Sequence, residues 1–378
     1  MRAPFPDIAA LIRATPWNAY ETTREQENMM RIATVPLTRR AAVGSVAAGT
    51  LALAMPFVRL ARAAPPTIRY ATGGGIGPNE METIIYLEWM QKNVLKGYGK
   101  DYTVDMTFTR GTPEAGTLLA AGQADMATLS FAVFATAVLK SIVPEGMTIV
   151  SDNYQDGHAG YAQNTFFVLA DSPIKSTQDL KGKKVGINAF GSAVDLALRI
   201  KLKKDGIDPR KDLTIVEVAF PNQAAALREK RIDCGILILP FMATEVRKGD
   251  LRALFTGGDA FGPYSVIFQV VTNAFLKKNP EAVKSYLADY VRGLQWFYDP
   301  ANRKKAIEIT AGFTKSPADV LDSYFMTKGD YYRDPHGCVG AKTIQTPIDA
   351  MYSEGLIDKP VNVAEHLNMG LLPYPCAV

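Results

Sequence analysis

The residues best suited to chemistry sit where predicted strands give way to turns or helices. Gly191-Ser192-Ala193 opens a predicted helix, whose first backbone N–H groups and dipole attract an anion. Ser130-Phe131 repeats that arrangement. Gly73-Gly74-Gly75 follows Thr72 and lets a ligand approach the backbone closely, but it lacks the spacing and downstream acid of a dinucleotide-binding turn. Arg110 is the one strong cation at a predicted strand end and could grip a carboxylate or sulfonate through two parallel hydrogen bonds. Phe131, Phe190 and Phe241 offer aromatic walls, and Asn188, Asn222 and Pro240 complete the candidate ligand-binding set. Plainer roles compete with each of these. Ser192 and Asp195 form a fair capping pair, Arg110 could serve a surface ion pair, and the phenylalanines could be core or hinge packing. Tyr154, Asp156, His158 and Tyr161 form a polar, aromatic loop that is a further candidate for ligand contact, whereas Trp89 and Trp296 fall mid-helix and read as core.

This is chemistry of binding. His158, His336 and His366 are scattered, and Cys234, Cys338 and Cys376 show no metal-ligand spacing, so neither a metal nor a cofactor is expected. Cys234 lies in an apolar run and reads as a buried thiol. Cys338 and Cys376, in Pro- and Gly-flanked sequence, are the better candidates for a disulfide, although spacing alone does not establish one.

The elements that must hold these residues alternate between short apolar runs and longer amphipathic ones. Strands are predicted over 67–71, 102–109 and 126–129, with helices over 79–94, from 112 onward, and over 130–139. The helix at Thr112 has Thr as cap and Pro113 in its first turn. A βαβαβα order implies a parallel sheet covered by helices. The pattern then resets, with strands at 166–169, 184–187, 214–218 and 234–239 and helices at 192–204 and 222–230. After a strand at 264–271 the chain turns helical, over 279–298, 301–311, 316–326 and 342–354. At an offset of 108, Asp125, Ala135 and Thr136 match Asp233, Ala243 and Thr244, a faint sign of two related lobes. In open α/β sheets ligands bind beyond the carboxyl ends of the strands, which is where the candidates fall. The reading is an α/β chain of two lobes joined by a hinge: 64–164 with 241–378 as lobe 1, and 165–240 as lobe 2.

The N-terminus reads as an export leader. Pro36-Leu37-Thr38-Arg39-Arg40 precedes an uncharged apolar run from Ala41 to Val58, and Ala61-Arg62-Ala63 carries the small residues a signal peptidase accepts. The paired arginines fit a twin-arginine signal, cleaved near Ala63. A retained anchor is the alternative, which Pro56 and the many Ala and Gly residues disfavour. Residues 1–63 hold eight Arg, no Lys and four acids, so the 42 basic and 38 acidic residues of the whole chain fall to 34 of each in the remaining 315. The apparent basicity is therefore an export feature, and nothing supports nucleic-acid binding.

Several of these segments resemble a known family. Ser176-Thr177-Gln178-Asp179-Leu180-Lys181-Gly182-Lys183-Lys184-Val185-Gly186, the Phe190-Gly191-Ser192 loop, Ala224-Ala225-Ala226-Leu227 with Ile232-Asp233-Cys234-Gly235, and the step from Val271 to Pro280 are similar, in that order, to periplasmic binding proteins of the nitrate/sulfonate/taurine class. The resemblance covers most of 67–370. It departs at Leu239-Pro240-Phe241, where the family usually has Trp-Glu-Pro: the proline is kept, but Leu239 and Ile238 replace the acid and the tryptophan. It implies a type II periplasmic binding protein, a monomeric receptor that closes on a small organic anion and presents it to an ABC permease and ATPase complex in the inner membrane. Two rivals remain: a receptor of a TRAP-type transporter, or an enzyme on the same fold, similar to thiamine-pyrimidine synthases or an aromatic desulfinase. Such enzymes would be expected to place Cys or His at the cleft, and the Gly-rich first loop carries neither.

Overall fold

A computed structural model describes residues 64–74 and 77–376. The leader and Gly75 therefore lie outside the described residues. Ten strands occur among the described residues: β1 (Thr67–Ala71), β2 (Thr103–Thr107), β3 (Met126–Ser130), β4 (Met147–Asp156), β5 (Thr165–Leu169), β6 (Lys184–Ile187), β7 (Thr214–Glu217), β8 (Cys234–Leu237), β9 (Leu251–Thr256) and β10 (Tyr264–Thr272). They form two five-stranded sheets, ordered β2-β1-β3-β10-β4 and β7-β6-β8-β5-β9. In the first, β1 runs parallel to β2 and β3, while β10 runs antiparallel to β3 and β4. The second repeats the plan: β6 is parallel to β7 and β8, and β5 is antiparallel to β8 and β9.

The expected parallel sheets are thus mixed ones. A strand returning from the other lobe, β10 in the first sheet and β5 in the second, enters antiparallel. The second sheet also extends past the boundary read at residue 240, because β9 pairs with β5 along 251–256. The predicted helix over 79–94 is divided into Glu82–Ile85 and Glu88–Asn93, with Leu87 extended between them.

The sequence echo at an offset of 108 has a physical basis. Asp125 accepts from the Arg69 amide through Oδ2 (3.1 Å) and donates its own amide to the Arg69 carbonyl (2.8 Å). Asp233 does the same with Lys184, at 2.8 Å in both directions. Each aspartate thus ties the strand it precedes to the lobe's first parallel strand.

Helix Ala193–Lys204 serves both cores. Val194, Leu198 and Leu202, at four-residue spacing, enter the core of the second lobe, whereas Ala193, Leu196, Ala197 and Ile200 enter that of the first. The chain crosses between sheets after β4 and again after β9. These crossings touch through glycines: a Cβ on Gly157 (φ +78°) would lie 2.1 Å from the Gly262 carbonyl oxygen. Asp156 pins the first crossing by accepting from the Gly157 amide (2.7 Å) and the Asn164 amide (3.2 Å). Cys338 and Cys376 form a disulfide, with Cα atoms 5.6 Å apart, and Cys234 is free and buried in β8. Among the described residues no helix is long and apolar enough to cross a membrane.

Candidate functional site

The carboxyl ends of the parallel strands in the two sheets meet at the lobe junction. Gly111, beyond β2, lies against the second lobe so closely that an added Cβ would be 3.6 Å from Asn188 Nδ2 and 3.8 Å from Ala189 Cβ. Beyond β1, Asn79 Nδ2 donates to the Leu239 carbonyl at 2.7 Å. The Leu239 amide donates to the Tyr331 hydroxyl (3.0 Å), which donates to Asn164 Oδ1 (2.7 Å). Both polar groups of Leu239 are therefore held by side chains from outside its sheet. The Leu239–Pro240 bond is cis.

The floor on the first-lobe side is built around Thr72 and Gly73. Thr72 is buried, and its side chain and carbonyl bond the amide and hydroxyl of Thr109 (3.1 and 2.5 Å). The Gly73 amide donates to Glu80 Oε2 at 2.6 Å, and a Cβ at Gly73 would come within 2.9 Å of Thr112 and Thr128 methyls. Gly74 is exposed beside Glu80. Glu80 and Glu82 are both buried, and desolvation holds both carboxyls above the ordinary range, with the charge of Glu82 raising Glu80 further. Glu82 Oε1 accepts from Tyr70, Thr128 and Asn153.

At both helix N-termini the structure shows the capping role. Ser192 is buried; its hydroxyl accepts from the Asp195 amide (3.3 Å) and donates to Asn188 Oδ1 (2.9 Å). Asp195 accepts from the Gly191 amide at 2.9 Å and pairs with Arg199 at 2.7 Å, and Glu217 accepts from the Phe190 amide at 2.7 Å. Carboxylates of the chain itself thus occupy two amides that a ligand anion would use. Ser130 caps its helix through the Val133 amide (3.3 Å) and accepts from the Thr112 hydroxyl (3.1 Å).

The remaining sequence candidates divide between core and surface. Phe131 is fully buried, edge-on to Phe261 and Tyr264 at 5.4 and 5.8 Å, so it is core. Phe190 is exposed, Asn222 is exposed in a short 3₁₀ turn, Pro240 and Phe241 are half-buried, and Phe241 packs on the second-lobe core. The Arg110 side chain is 94% exposed and meets only Glu114 of its own helical turn, at 3.3 Å, among the contacts of the described residues. The grouping of Tyr154, Asp156, His158 and Tyr161 does lie at the lobe crossing, but Tyr154 and Asp156 are on β4 and not in a loop.

Sequence reasoning missed Asn79, Glu80, Tyr331 and Arg333. Asn79-Glu80 directly follows the glycine turn, which was the available signal. Arg333 is preceded by Tyr331 and Tyr332, and nothing in its spacing placed it near the junction. It is 4% exposed and bonds Asp330 at 2.9 Å, with its guanidinium carbon 5.8 Å from the Tyr154 ring centre.

Similarity to known proteins narrows the assignment. Residues 81–311 match the sequence profile of the NMT1-like family. The chain belongs to the NMT1-like family. Among its relatives, a protein of Brucella abortus (strain 2308) named as a binding protein is 28% identical over 150 residues, covering 39% of this chain and 46% of that one. A protein of Escherichia coli (strain K12) named as an aliphatic sulfonates-binding protein is 24% identical over 200 residues, covering 53% and 61%. The match therefore spans about half the length of these relatives. The alkanesulfonate-binding protein of Xanthomonas axonopodis pv. citri, solved bound to MOPS, superposes with a TM-score of 0.62 at 18% identity, over 81% of this chain and 99% of that one. That likeness establishes the two-lobed α/β fold of this NMT1-like chain.

Proposed function

We propose that the protein is an exported solute-binding receptor that captures a small organic anion between its lobes and delivers it to an ABC importer. The observation that carries this reading is the meeting of strand ends across the junction, Gly111 against Asn188 and Asn79 bonded to Leu239, in a member of the NMT1-like family. A cleft formed by the carboxyl ends of two α/β sheets is where such folds hold ligands. The names of the sulfonate-binding relatives support a sulfonate as the class, and a carboxylate is the nearest chemical alternative. The candidate contacts are the backbone around Gly73 and Gly74, the loop from Asn188 to Ala193, and Pro240 with Phe241. An enzymatic reading on this fold finds little support in Cys234. Its thiol is enclosed in β8 and burial pushes it far above the ordinary range, the opposite of an activated nucleophile.

The test is a melting-temperature screen of the purified full-length protein, freed of co-purified ligand, against nitrate, taurine, alkanesulfonates, phthalates, benzoates and pyrimidines. A ligand at about 100 times its dissociation constant adds roughly 2.7 kcal/mol. A shift of several degrees with an acid is expected. A shift with pyrimidines alone, or with none of the panel, would sink the small-anion reading.

A further inference from the structure

Arg333 is a buried cation at the lobe junction with one guanidinium nitrogen left without a partner among the described residues. Nη1 bonds Asp330 Oδ2 at 2.9 Å, and both side chains are 1% exposed. Nη2 reaches the Pro78 carbonyl at 3.4 Å, and Nη1 the Tyr331 carbonyl at 3.5 Å. Nε is buried with no partner among the described residues. A buried N–H without an acceptor costs about 1–3 kcal/mol, so native folds seldom keep one without a reason. Asn79, next to Pro78, carries an orphan of the opposite kind: Oδ1 is buried and unpartnered, while Nδ2 crosses to Leu239. A donor and an acceptor, both buried, are therefore left without partners near Pro78, where the lobes meet.

The charge balance is favourable for an anion. The Asp330 carboxylate that faces Arg333 also accepts from the Met326 and Tyr331 amides, at 2.9 and 2.8 Å, so its charge is shared among three donors. Burial pushes the Glu80 carboxyl well above its ordinary range, which disfavours a repelling charge there. A purely structural role, pinning the 326–333 loop to Tyr154, accounts for the Asp330 bond and the contact with the Tyr154 ring. It accounts for neither orphan.

We infer that Arg333 is the cation that recognises the ligand, its Nε donating to an oxygen of a small carboxylate or sulfonate while Asn79 Oδ1 accepts from a hydroxyl or amine on the same molecule. This inference rests on the receptor reading above and specifies its substrate class as a small acid that also carries a hydrogen-bond donor.

The experiment uses matched acids on the full chain: ethanesulfonate against 2-hydroxyethanesulfonate, and benzoate against its hydroxylated forms, by calorimetry. Arg333→Lys keeps the charge beside Asp330 but removes Nε, and the double variant Arg333→Gln/Asp330→Asn replaces the ion pair by a neutral hydrogen bond. Expected results are a preference of wild type for the hydroxylated acid, at least tenfold weaker binding in both variants with cooperative melting retained, and loss of the preference in Asn79→Ala. Binding within twofold of wild type in either folded variant would overturn the role of Arg333, as would failure of both variants to melt cooperatively. No preference in wild type would overturn the role of Asn79. Wild type that binds no acid of either pair or of the wider panel would instead remove the receptor reading, and this inference with it.

Discussion

At the scale of single residues, the protein buries more acid than its near-neutral charge suggests. Asp152 accepts from Ser265 (2.6 Å) and Gln155 (2.8 Å), yet desolvation dominates and pushes its carboxyl up to about 7. Asp156 is pushed up to about 7 by the same cause, against the Gly157 and Asn164 amides that stabilise its charge. Unfolded, both would titrate near pH 3.9. The folded chain therefore holds protons that the unfolded chain releases, and the stabilisation is full below about pH 4 and lost as pH rises through about 7. Half-buried His158, which burial lowers, works in the opposite direction, but it stands alone against Asp152, Asp156, Glu80 and Glu82. The melting temperature is expected to fall between pH 5 and pH 8, and Asp152→Asn, which keeps the acceptor for Ser265, is expected to flatten that slope. A melting temperature that climbs over the range would contradict this. None of these shifts was legible in the sequence, because a run such as Ser151-Asp152-Asn153-Tyr154-Gln155-Asp156 looks solvated until its partners are known. Ser192 was legible, since a cap needs only its own helix. Arg110 misled because a strand-end position does not say which way a long side chain turns.

Elements were easier to read than their neighbours. Each helix predicted from Thr112 onward lies within a few residues of its predicted span, since apolar periodicity and caps are local, whereas the short helices Phe241–Glu245, Gly257–Phe261 and Asn273–Lys278 were missed. The two missed strands fail for different reasons. In β4, Ser151, Asp152, Asn153 and Gln155 are polar and buried, so no alternation shows. In β9, Leu251, Ala253 and Phe255 alternate, but over six residues hemmed in by charges. Helix Ala193–Lys204 was placed correctly, yet its apolar residues lie on more than one face, and only the structure reveals two cores behind them. That arrangement couples the lobes. Leu198→Ala removes a fully buried side chain from the second-lobe core and should cost about 2–5 kcal/mol. Trp89 and Trp296, with rings 5.3 Å apart, report on the first lobe. In urea the tryptophan signal and the far-ultraviolet circular dichroism of Leu198→Ala should shift to the same lower midpoint. A tryptophan transition left at the wild-type midpoint would mean that the lobes unfold separately.

At the scale of the molecule, the two-lobed plan was legible from the βα order and from the Asp125/Asp233 echo, and family resemblance supplied the rest. The closing strands and the junction were not, because they depend on contacts between residues far apart in sequence. One long-range tie that sequence did suggest is the disulfide, which closes 38 residues. In the chain-entropy picture a loop of that size stabilises by about 4 kcal/mol, so Cys338→Ala/Cys376→Ala should lower the guanidinium midpoint clearly. The junction makes the stronger prediction. The Tyr331 hydroxyl accepts from the Leu239 amide, two residues past β8 of the second lobe, and donates to Asn164 at the crossing, so it ties the second lobe to the crossing. Tyr331→Phe keeps the ring stacked on Tyr154 (4.5 Å) but leaves a buried amide and a buried carbonyl without partners, at about 1–3 kcal/mol each while the lobes stay together. Separating the lobes exposes both groups to water and removes that penalty, so the substitution favours the open arrangement over the closed one. Expected in small-angle scattering is a larger radius of gyration for Tyr331→Phe, and in hydrogen exchange a faster Leu239 amide, with the β6 and β8 amides unchanged. Uniformly faster exchange across the second sheet would indicate general destabilisation. An unchanged Leu239 amide would show that the Asn79 bond to the Leu239 carbonyl holds the lobes together by itself.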